Sequence, residues 1–282
     1  MKLEWDNFSL DFSRKTHIMG VLNTTPDSFS DGGLYFDKTT AIRHALQMVE
    51  DGADIIDVGG ESTRPGSDPV TIEEELRRTV PVIESIVKKI KIPVSIDTYK
   101  SEVAKRALDA GASMVNDISG MRFDIKMPEI VSRYKVPVIV MHIRGTPRDM
   151  QRNTVYEALI PEILDYFRGC IRLAVDTGIP EDKIIVDPGI GFGKTYEQNL
   201  EIINKLDELT LLEKPVLIGL SKKAFLGKIL GNVPVSARSE GTAAAVAISI
   251  IKGASIVRVH DVKEMARVVK VADAIKKEQI SV

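Results

Sequence analysis

Residues 51–57 read DGADIID, residues 110–117 read AGASMVND and residues 252–259 read KGASIVRV. Each is the same joint. A helical stretch runs out at a Gly, an Ala follows, and a β-branched run begins. Gly is the common residue just past a helix C-terminus, where the backbone turns left-handed. Working outward from the first joint, residues 38–51 carry Ile42, Ala45, Leu46 and Val49 at helical spacing. After it comes DIIDVG (54–59), a near-continuous apolar run, and then the small, polar segment GGESTRPGSDP (59–69). Strand, polar loop, helix and Gly make one repeating unit.

That unit recurs along nearly the whole chain. The apolar runs are HIMGVL (17–22), DIIDVG (54–59), PVSID (93–97), SMVND (113–117), VPVIVMH (136–142), KIIVD (183–187), PVLIGL (215–220) and SIVRVH (255–260). Apolar positions without strict alternation are expected of parallel strands covered by helices. Helices are predicted over 38–51, 71–90, 101–111, 126–134, 155–177, 196–212, 239–252 and 262–278, and Gly52, Gly111, Gly178 and Gly253 sit where helices should end. The second of these starts at Thr71 with glutamates placed for a capped first turn. Eight such units predict an α/β fold of the (β/α)8 TIM-barrel type. The rival, a doubly wound open sheet, often opens with a Gly-rich fingerprint after its first strand. Here that position reads NTTPDSF. Residues 1–16 read as an N-terminal arm or hairpin closing the barrel bottom, and no low-complexity linker divides 1–282, so one domain is expected.

The chain has 282 residues, 44% hydrophobic and 28% charged, in the range of a globular protein that buries a sizeable core. A formal net charge of −2 gives no basic field for nucleic acid or membrane surface, so anion binding must come from local groups. The single cysteine, Cys170, reads as a small buried side chain. The N-terminal stretch has no signal-peptide core, and no apolar run is long enough to span a membrane. A cytoplasmic location is the resulting expectation.

Barrel enzymes carry their chemistry at the C-terminal ends of the strands. Those ends deliver Asn23, then Asp57 with Glu61, Ser62, Thr63 and Arg64, then Asp97, Asn116 with Asp117, His142, Asp187, Ser221 with Lys222 and Lys223, and Arg258 with His260. One such residue could merely cap a helix. All eight strands ending this way point to a polar mouth, where buried charges need each other or a ligand. Asp97, Asn116 and Asp187 suit a flat heterocycle with an N–C–N edge, because carboxylates accept and an amide does both. Asp57, Asp97 and Asp187 would equally suit a divalent cation such as Mg²⁺ or Mn²⁺. Spacing does not separate the two. Lys223, Arg258 and His260 can hold anionic oxygens, and Arg258 can also stack on a ring. Lys222 reads as a solvated neighbour.

Two long loops of small polar residues, NTTPDSFSDGG (23–33, with the mobile segment taken to 36) and GGESTRPGSDP (59–70 with its end), suit phosphate cradling and lid motion. The segment GIGFGKT (189–195) resembles a P-loop but has Pro188 where the motif's first Gly should stand, and Lys194 where a dinucleotide fingerprint needs its third Gly. It reads as a tight turn letting backbone approach a ligand, with Phe192 as an apolar contact. His142 is either a general base or a satisfied mouth histidine. His17 and His44 read as structural.

The segments MGVLNTTPDSFSDGG, IIDVGGESTRPG, SIDT, NDISG, MHIRGTP, DPGIGFGKT, GLSKKAFLG and RVHDV, in this order from about residue 17 to 262, closely resemble the dihydropteroate synthases of the pterin-binding barrel enzymes. The resemblance implies a transferase of folate biosynthesis that joins a dihydropterin-methyl diphosphate to p-aminobenzoate. It implies pterin contacts from Asp57, Asp97, Asn116, Met141, Asp187, Gly219, Lys223 and Arg258. Diphosphate would be held by Asn23, Arg258 and His260, with Mg²⁺ bound through Asn23. The p-aminobenzoate site would be shaped by Thr63, Arg64, Pro65, Phe192, Lys223 and Ala224, and the catalytic set would be Lys223, Asp97, Arg258 and His260. A homodimer is implied as well. Two departures fall at the second-substrate site: Ala224 stands where relatives often carry Ser, and Lys222 where Arg is common. A corrinoid-serving pterin methyltransferase would not need the two loops. A folate-binding module without catalysis would not need Lys223. A metal-dependent aldolase would use Asp57, Asp97 and Asp187.

Overall fold

The computed structural model describes residues 1–25 and 38–279. The first loop beyond Thr25 therefore lies outside the described residues, as does the terminus from 280. All eight apolar runs form strands: β3 (His17–Asn23), β4 (Ile55–Gly59), β5 (Val94–Asp97), β6 (Met114–Asp117), β7 (Val138–Met141), β8 (Ile184–Asp187), β9 (Leu217–Gly219) and β10 (Ile256–Val259). They pair in parallel in the order β8-β7-β6-β5-β4-β3-β10-β9. A parallel bridge between Val186 and Val216 joins the two ends, backed by the Val186 N–H donating to the Pro215 carbonyl at 3.0 Å. The sheet is a barrel and the doubly wound alternative is excluded.

The pleat sorts each strand into two faces. Ile56, Val58, Ile96, Val115, Val138, Val140, Ile184, Val186, Ile218, Val257 and Val259 face the helices in one continuous core. On the inner face, Met19, Ile55, Met114, Ile139, Ile185, Leu217 and Ile256 form a separate apolar floor. The floor is completed from below by the antiparallel hairpin of β1 (Lys2–Trp5) and β2 (Phe8–Asp11), which inserts Leu3, Trp5 and Leu10. The expected N-terminal arm is thus a plug.

The helices are α1 (Lys38–Glu50), α2 (Ile72–Ile86), α3 (Ser101–Asp109), α4 (Met127–Tyr134), α5 (Leu159–Asp176), α6 (Tyr196–Asn204), α7 (Ala224–Ile229), α8 (Ser239–Ile251) and α9 (Val262–Lys277). Thr71 caps α2 as predicted, accepting from the Glu74 N–H, and the joint glycines Gly52, Gly111, Gly178 and Gly253 all have positive φ. Several boundaries and one element differ from expectation; α2, for one, ends at Ile86 and not at 90. Helix α5 starts at Leu159 because the Glu162 carboxylate turns back to accept from the Glu157 and Ala158 N–H groups, closing the helix start there. The stretch 196–212 is an α-helix to Asn204 and a 3-10 helix over Leu206–Leu212. Helix α7 was not expected, since six residues are too few to show a helical period.

Candidate active site

One pleat step above the floor, the same strands turn polar. Ile55 is followed inward by Asp57, Met114 by Asn116, Ile139 by Met141, Ile185 by Asp187, Leu217 by Gly219 and Ile256 by Arg258, with Asp97 joining from β5. Two residues of strand rise about 7 Å. The mouth is therefore a polar layer set directly on an apolar one.

Arg258 organises that layer. Its Nε donates to Asp57 Oδ2 at 2.7 Å and its Nη2 to Asp97 Oδ2 at 2.7 Å. Asn116 Nδ2 donates to the same Asp57 oxygen at 3.0 Å. Above this lattice lies a pocket lined by Thr63, Asp97, Asn116, Ile118, Met141, Asp187, Gly189, Ile190, Phe192, Gly219, Lys223 and Arg258. Its acceptors are Asp97 and Asp187, its cations Lys223 and Arg258. Met141, Ile118, Ile190 and Phe192 give apolar walls for a flat ring, and Lys223 Nζ sits 4.7 Å from the Phe192 ring centroid.

Burial sets the charges on edge. Asp97 is pushed up to about 7 by burial, with Arg258 pulling the other way and Asp57 adding repulsion. Asp187 is also raised by burial, opposed by the Gly189 N–H at 2.7 Å and by Lys223. Lys223 is lowered to about 8 by burial, against the pull of Asp187 and with Arg258 adding repulsion. Burial works against the Arg258 cation, but Asp57 and Asp97 outweigh it and hold it charged. Cation and carboxylate sites whose protonation is poised near neutrality, in one cleft, mark a functional site.

Not every expected residue reaches the pocket. Asp57 is buried beneath it and anchors Arg258 and Asn116, and its Oδ1 has no hydrogen-bond partner among the described residues. Of the second-substrate set, Thr63, Phe192 and Lys223 line the pocket. Arg64 and Pro65 are exposed outside its lining, and Ala224 is exposed at the start of α7. Asn23 and His260 stand at the rim. Asn23 ends β3 beside Gly59, where a side chain would meet both Asp97 and Asn23. His260 receives no lining position; its Nδ1 lies 3.0 Å from Ser221 Oγ, and burial followed by Arg258 and Lys222 lowers it to about 4. Asp117 points outward and accepts from the Ser119 N–H and hydroxyl, each at 2.7 Å, so it is a loop cap. Lys222 is not simply solvated, because its Nζ pairs with Asp261 at 2.7 Å.

The glycine turn after β8 behaves as a close backbone approach. Gly189 has φ +67° and a Cβ there would run into the His142 carbonyl oxygen. Lys194 is fully buried and ties the turn together, reaching His142 Nδ1 at 2.9 Å, the Gly189 carbonyl at 3.0 Å and the Phe192 carbonyl at 2.8 Å. His142 thus faces Lys194 and not the pocket, and burial with that cation pushes it down to about 2. The general-base alternative is set aside. Ile118 and Ile190, two walls of the pocket, were not singled out from sequence; both are apolar residues within polar loops that follow strand ends.

A cation cradle of Asp57, Asp97 and Asp187 does not fit this arrangement, since Arg258 already occupies two of the three carboxylates. Among the described residues no group of three or more His, Cys, Asp or Glu is placed to hold a metal.

Residues 19–260 match the family model described as pterin binding enzyme. Dihydropteroate synthase of Synechocystis sp. is 50% identical over 265 residues, covering 94% of this chain and 92% of its own. The crystal structure of Yersinia pestis dihydropteroate synthase with a sulfonamide drug complex superposes with a TM-score of 0.93 at 39% identity, covering 98% of this chain and 100% of that one. The Xanthomonas albilineans enzyme, solved with 4-aminobenzoic acid, gives 0.91 at 38% identity and 98% coverage of each chain. The same enzyme solved with 7,8-dihydropteroate gives 0.88 at 34%, covering 98% of this chain and 99% of that one. The chain belongs to the pterin-binding enzymes and, within them, to the dihydropteroate synthase family.

Proposed function

We infer that the protein is a dihydropteroate synthase: a transferase that condenses 7,8-dihydropterin-6-ylmethyl diphosphate with p-aminobenzoate, giving 7,8-dihydropteroate and diphosphate in folate biosynthesis. The observation that carries this is the convergence of Asp97, Asn116, Asp187, Lys223 and Arg258, from five strand ends, on one pocket. The Xanthomonas relative was solved with an arylamine and with a pteroate, which supports the same substrate classes here.

In this reading the pterin's N–C–N edge donates to Asp97 and Asp187, Asn116 both donates and accepts, and Lys223 donates to the ring carbonyl. Met141 and Gly219 leave a flat slot. Arg258 is held by Asp57 and Asp97 from behind, so its exposed face can lie along the ring or turn to the diphosphate. His260, neutral near pH 7, donates a hydrogen bond to the leaving group, with Asn23 across the mouth. The bond between the methylene carbon and the diphosphate oxygen breaks, and its electron pair leaves with the diphosphate. Charge left on the carbon spreads over the pterin, steadied by Asp97. The arylamine nitrogen, neutral and nucleophilic at pH 7, attacks that carbon and then loses its proton. Phe192, Thr63 and the aliphatic part of Lys223 form its slot, with Arg64, Pro65 and Ala224 at the edge. Mg²⁺ would be held through Asn23 together with the substrate diphosphate, in keeping with its preference for substrate phosphates and few protein ligands, and would neutralise leaving-group charge.

We propose a single domain acting as a homodimer in the cytoplasm. Support for pairing comes from α8 and α9, which leave Ile248, Ile251, Val271 and Ile275 exposed. The test of function is diphosphate release from dihydropterin diphosphate on adding p-aminobenzoate and Mg²⁺. Release only with a substituted arylamine would move the second substrate, as the missing hydroxyl at Ala224 allows. No release with any arylamine would refute the reading.

A further inference from the structure

The second loop leaves β4 at Gly60 and returns to α2 at Thr71. Its two ends are tied to each other and to one buried cation. Lys100 Nζ donates to Glu61 Oε2 at 2.6 Å, to the Val70 carbonyl at 2.8 Å and to Glu75 Oε2 at 2.5 Å. An ammonium has three N–H bonds, and here they go to the start of the loop, the end of the loop and the helix that follows. Glu61 completes the stem: its Oε2 also accepts from the Val70 N–H at 2.9 Å, and its Oε1 from the Tyr99 hydroxyl at 2.8 Å. The side chains of Glu61, Glu75 and Lys100 are 7%, 1% and 13% exposed, so these are not surface pairs of small worth.

Lys100 also breaks a local rule. It is the N-cap of α3, makes no capping bond, and places a cation at the positive end of a helix. The Asp124 carboxylate supplies the missing cap by accepting from the Ser101 N–H at 2.8 Å. Local choices that conflict with their own element tend to serve something else. Above the stem, the tip is tied within itself, by Ser67 Oγ donating to the Ser62 and Arg64 carbonyls at 2.5 and 2.8 Å. The tip is therefore held as a unit, by the stem below and by one contact with the loop after β7, the Gly66 N–H donating to the Pro147 carbonyl at 3.0 Å. Lys100 lies three residues beyond Asp97, in the short connection from β5, which carries that pocket carboxylate, to α3.

We propose that Lys100 is a positioning residue that clamps the stem of the 61–70 loop, holding Thr63 against the pocket so that the arylamine meets a formed site. This rests on the arylamine reading above. It assigns Lys100 to the second substrate and not to the pterin.

The test uses two variants of the full chain. Lys100→Met is made together with Glu75→Gln, because burial already raises the Glu75 carboxyl and removing the lysine alone would strand two acids. Glu61→Gln keeps the shape and carries the test if the double variant does not fold. Hydrogen exchange of the 62–69 backbone is read beside steady-state kinetics. Losing hydrogen bonds to a charged group is expected to speed exchange there, and to raise KM for p-aminobenzoate, by about tenfold or more. The dissociation constant of dihydropterin diphosphate should stay within about threefold. Unchanged exchange at 62–69 overturns the clamp, as does a fall in melting temperature with KM unmoved. Failure of the native chain to use any arylamine would refute the functional reading instead, while the exchange comparison would still decide the clamp.

Discussion

Asp97→Asn isolates the carboxylate that the pterin and Arg258 share. The substitution is isosteric, and Arg258 keeps its 2.7 Å bond to Asp57, so the barrel should fold with a loss of about 1–3 kcal/mol for one charge-assisted hydrogen bond. The ligand loses more. A carboxylate accepts on both oxygens, whereas an amide accepts on one and turns an N–H₂ toward a partner that also donates. Loss of a charged acceptor plus a donor–donor clash should total about 3–4 kcal/mol, or roughly a hundredfold to thousandfold weaker binding. There is a pH signature as well. Asp97 stands at about 7, and the pterin edge needs it ionised, so affinity should rise with pH up to that point, by about tenfold per unit below it. Lys223, at about 8, should weaken binding again as it loses its proton. The variant should lose the part of the acid limb that Asp97 supplies, keep a shallower one from Asp187, and keep the alkaline one. Titration calorimetry with dihydropterin diphosphate from pH 5.5 to 9, with circular dichroism as a fold check, reads both effects. Binding within about threefold of the parent, or an unchanged acid limb, would refute the pairing.

Three further outcomes are expected. Trp5→Ala, removing a 5%-exposed ring from the floor, should cost about 3–5 kcal/mol in urea unfolding; a loss under about 1 kcal/mol would mean the hairpin is no plug. Gly189→Ala should strain a left-handed position by roughly 1–3 kcal/mol, and by displacing the N–H that holds Asp187 it should weaken pterin binding; calorimetry showing unchanged affinity would contradict this. His142 and His260, lowered to about 2 and about 4, stay neutral while the unfolded chain's histidines take up protons below about 6.5. The unfolded state then binds more protons, so stability should fall as pH drops from 6.5 toward 4, by up to about 1.4 kcal/mol per unit per histidine. Denaturant titrations of His142→Gln should show a shallower slope over that window, and an identical slope would sink the assignment.

The barrel was legible because its signals are local and repeated: a Gly closing four of the helices, a β-branched run after each helix, a polar loop next. The strand ends also named the right neighbourhood for the site. What the spacing left open was which of two adjacent polar residues enters the mouth. Strand parity decides it, since Asn116 continues the face of Met114 while Asp117 faces the helices. Asp57 and Asp97 share the inner face but not the depth, and only the Arg258 fork, reaching across three strands, sets one below the pocket and the other in its wall. Pro65 and Ala224 came from resemblance alone and Arg64 also from its place after a strand end, and nothing in their local chemistry brings them to the pocket lining. The Glu61–Lys100 pair joins residues 39 apart in two different loops and leaves no periodic trace. The spacing around Lys194 failed the P-loop pattern and read as a tight turn, and the ammonium is indeed spent on backbone carbonyls of that turn.

The apolar storey under the mouth gives the enzyme a second handle on its ligands, out of their reach. Asp97 and Asp187 owe their weakened acidity to burial above the apolar floor, and that floor is completed from below by the first dozen residues of the chain. A smaller or wetter side chain at Leu3, Trp5 or Leu10 would admit solvent from beneath and let both acids ionise more readily. Affinity for a pterin, or for a drug shaped like one, could then drift through changes at the N-terminus that no contact map of the bound molecule would flag.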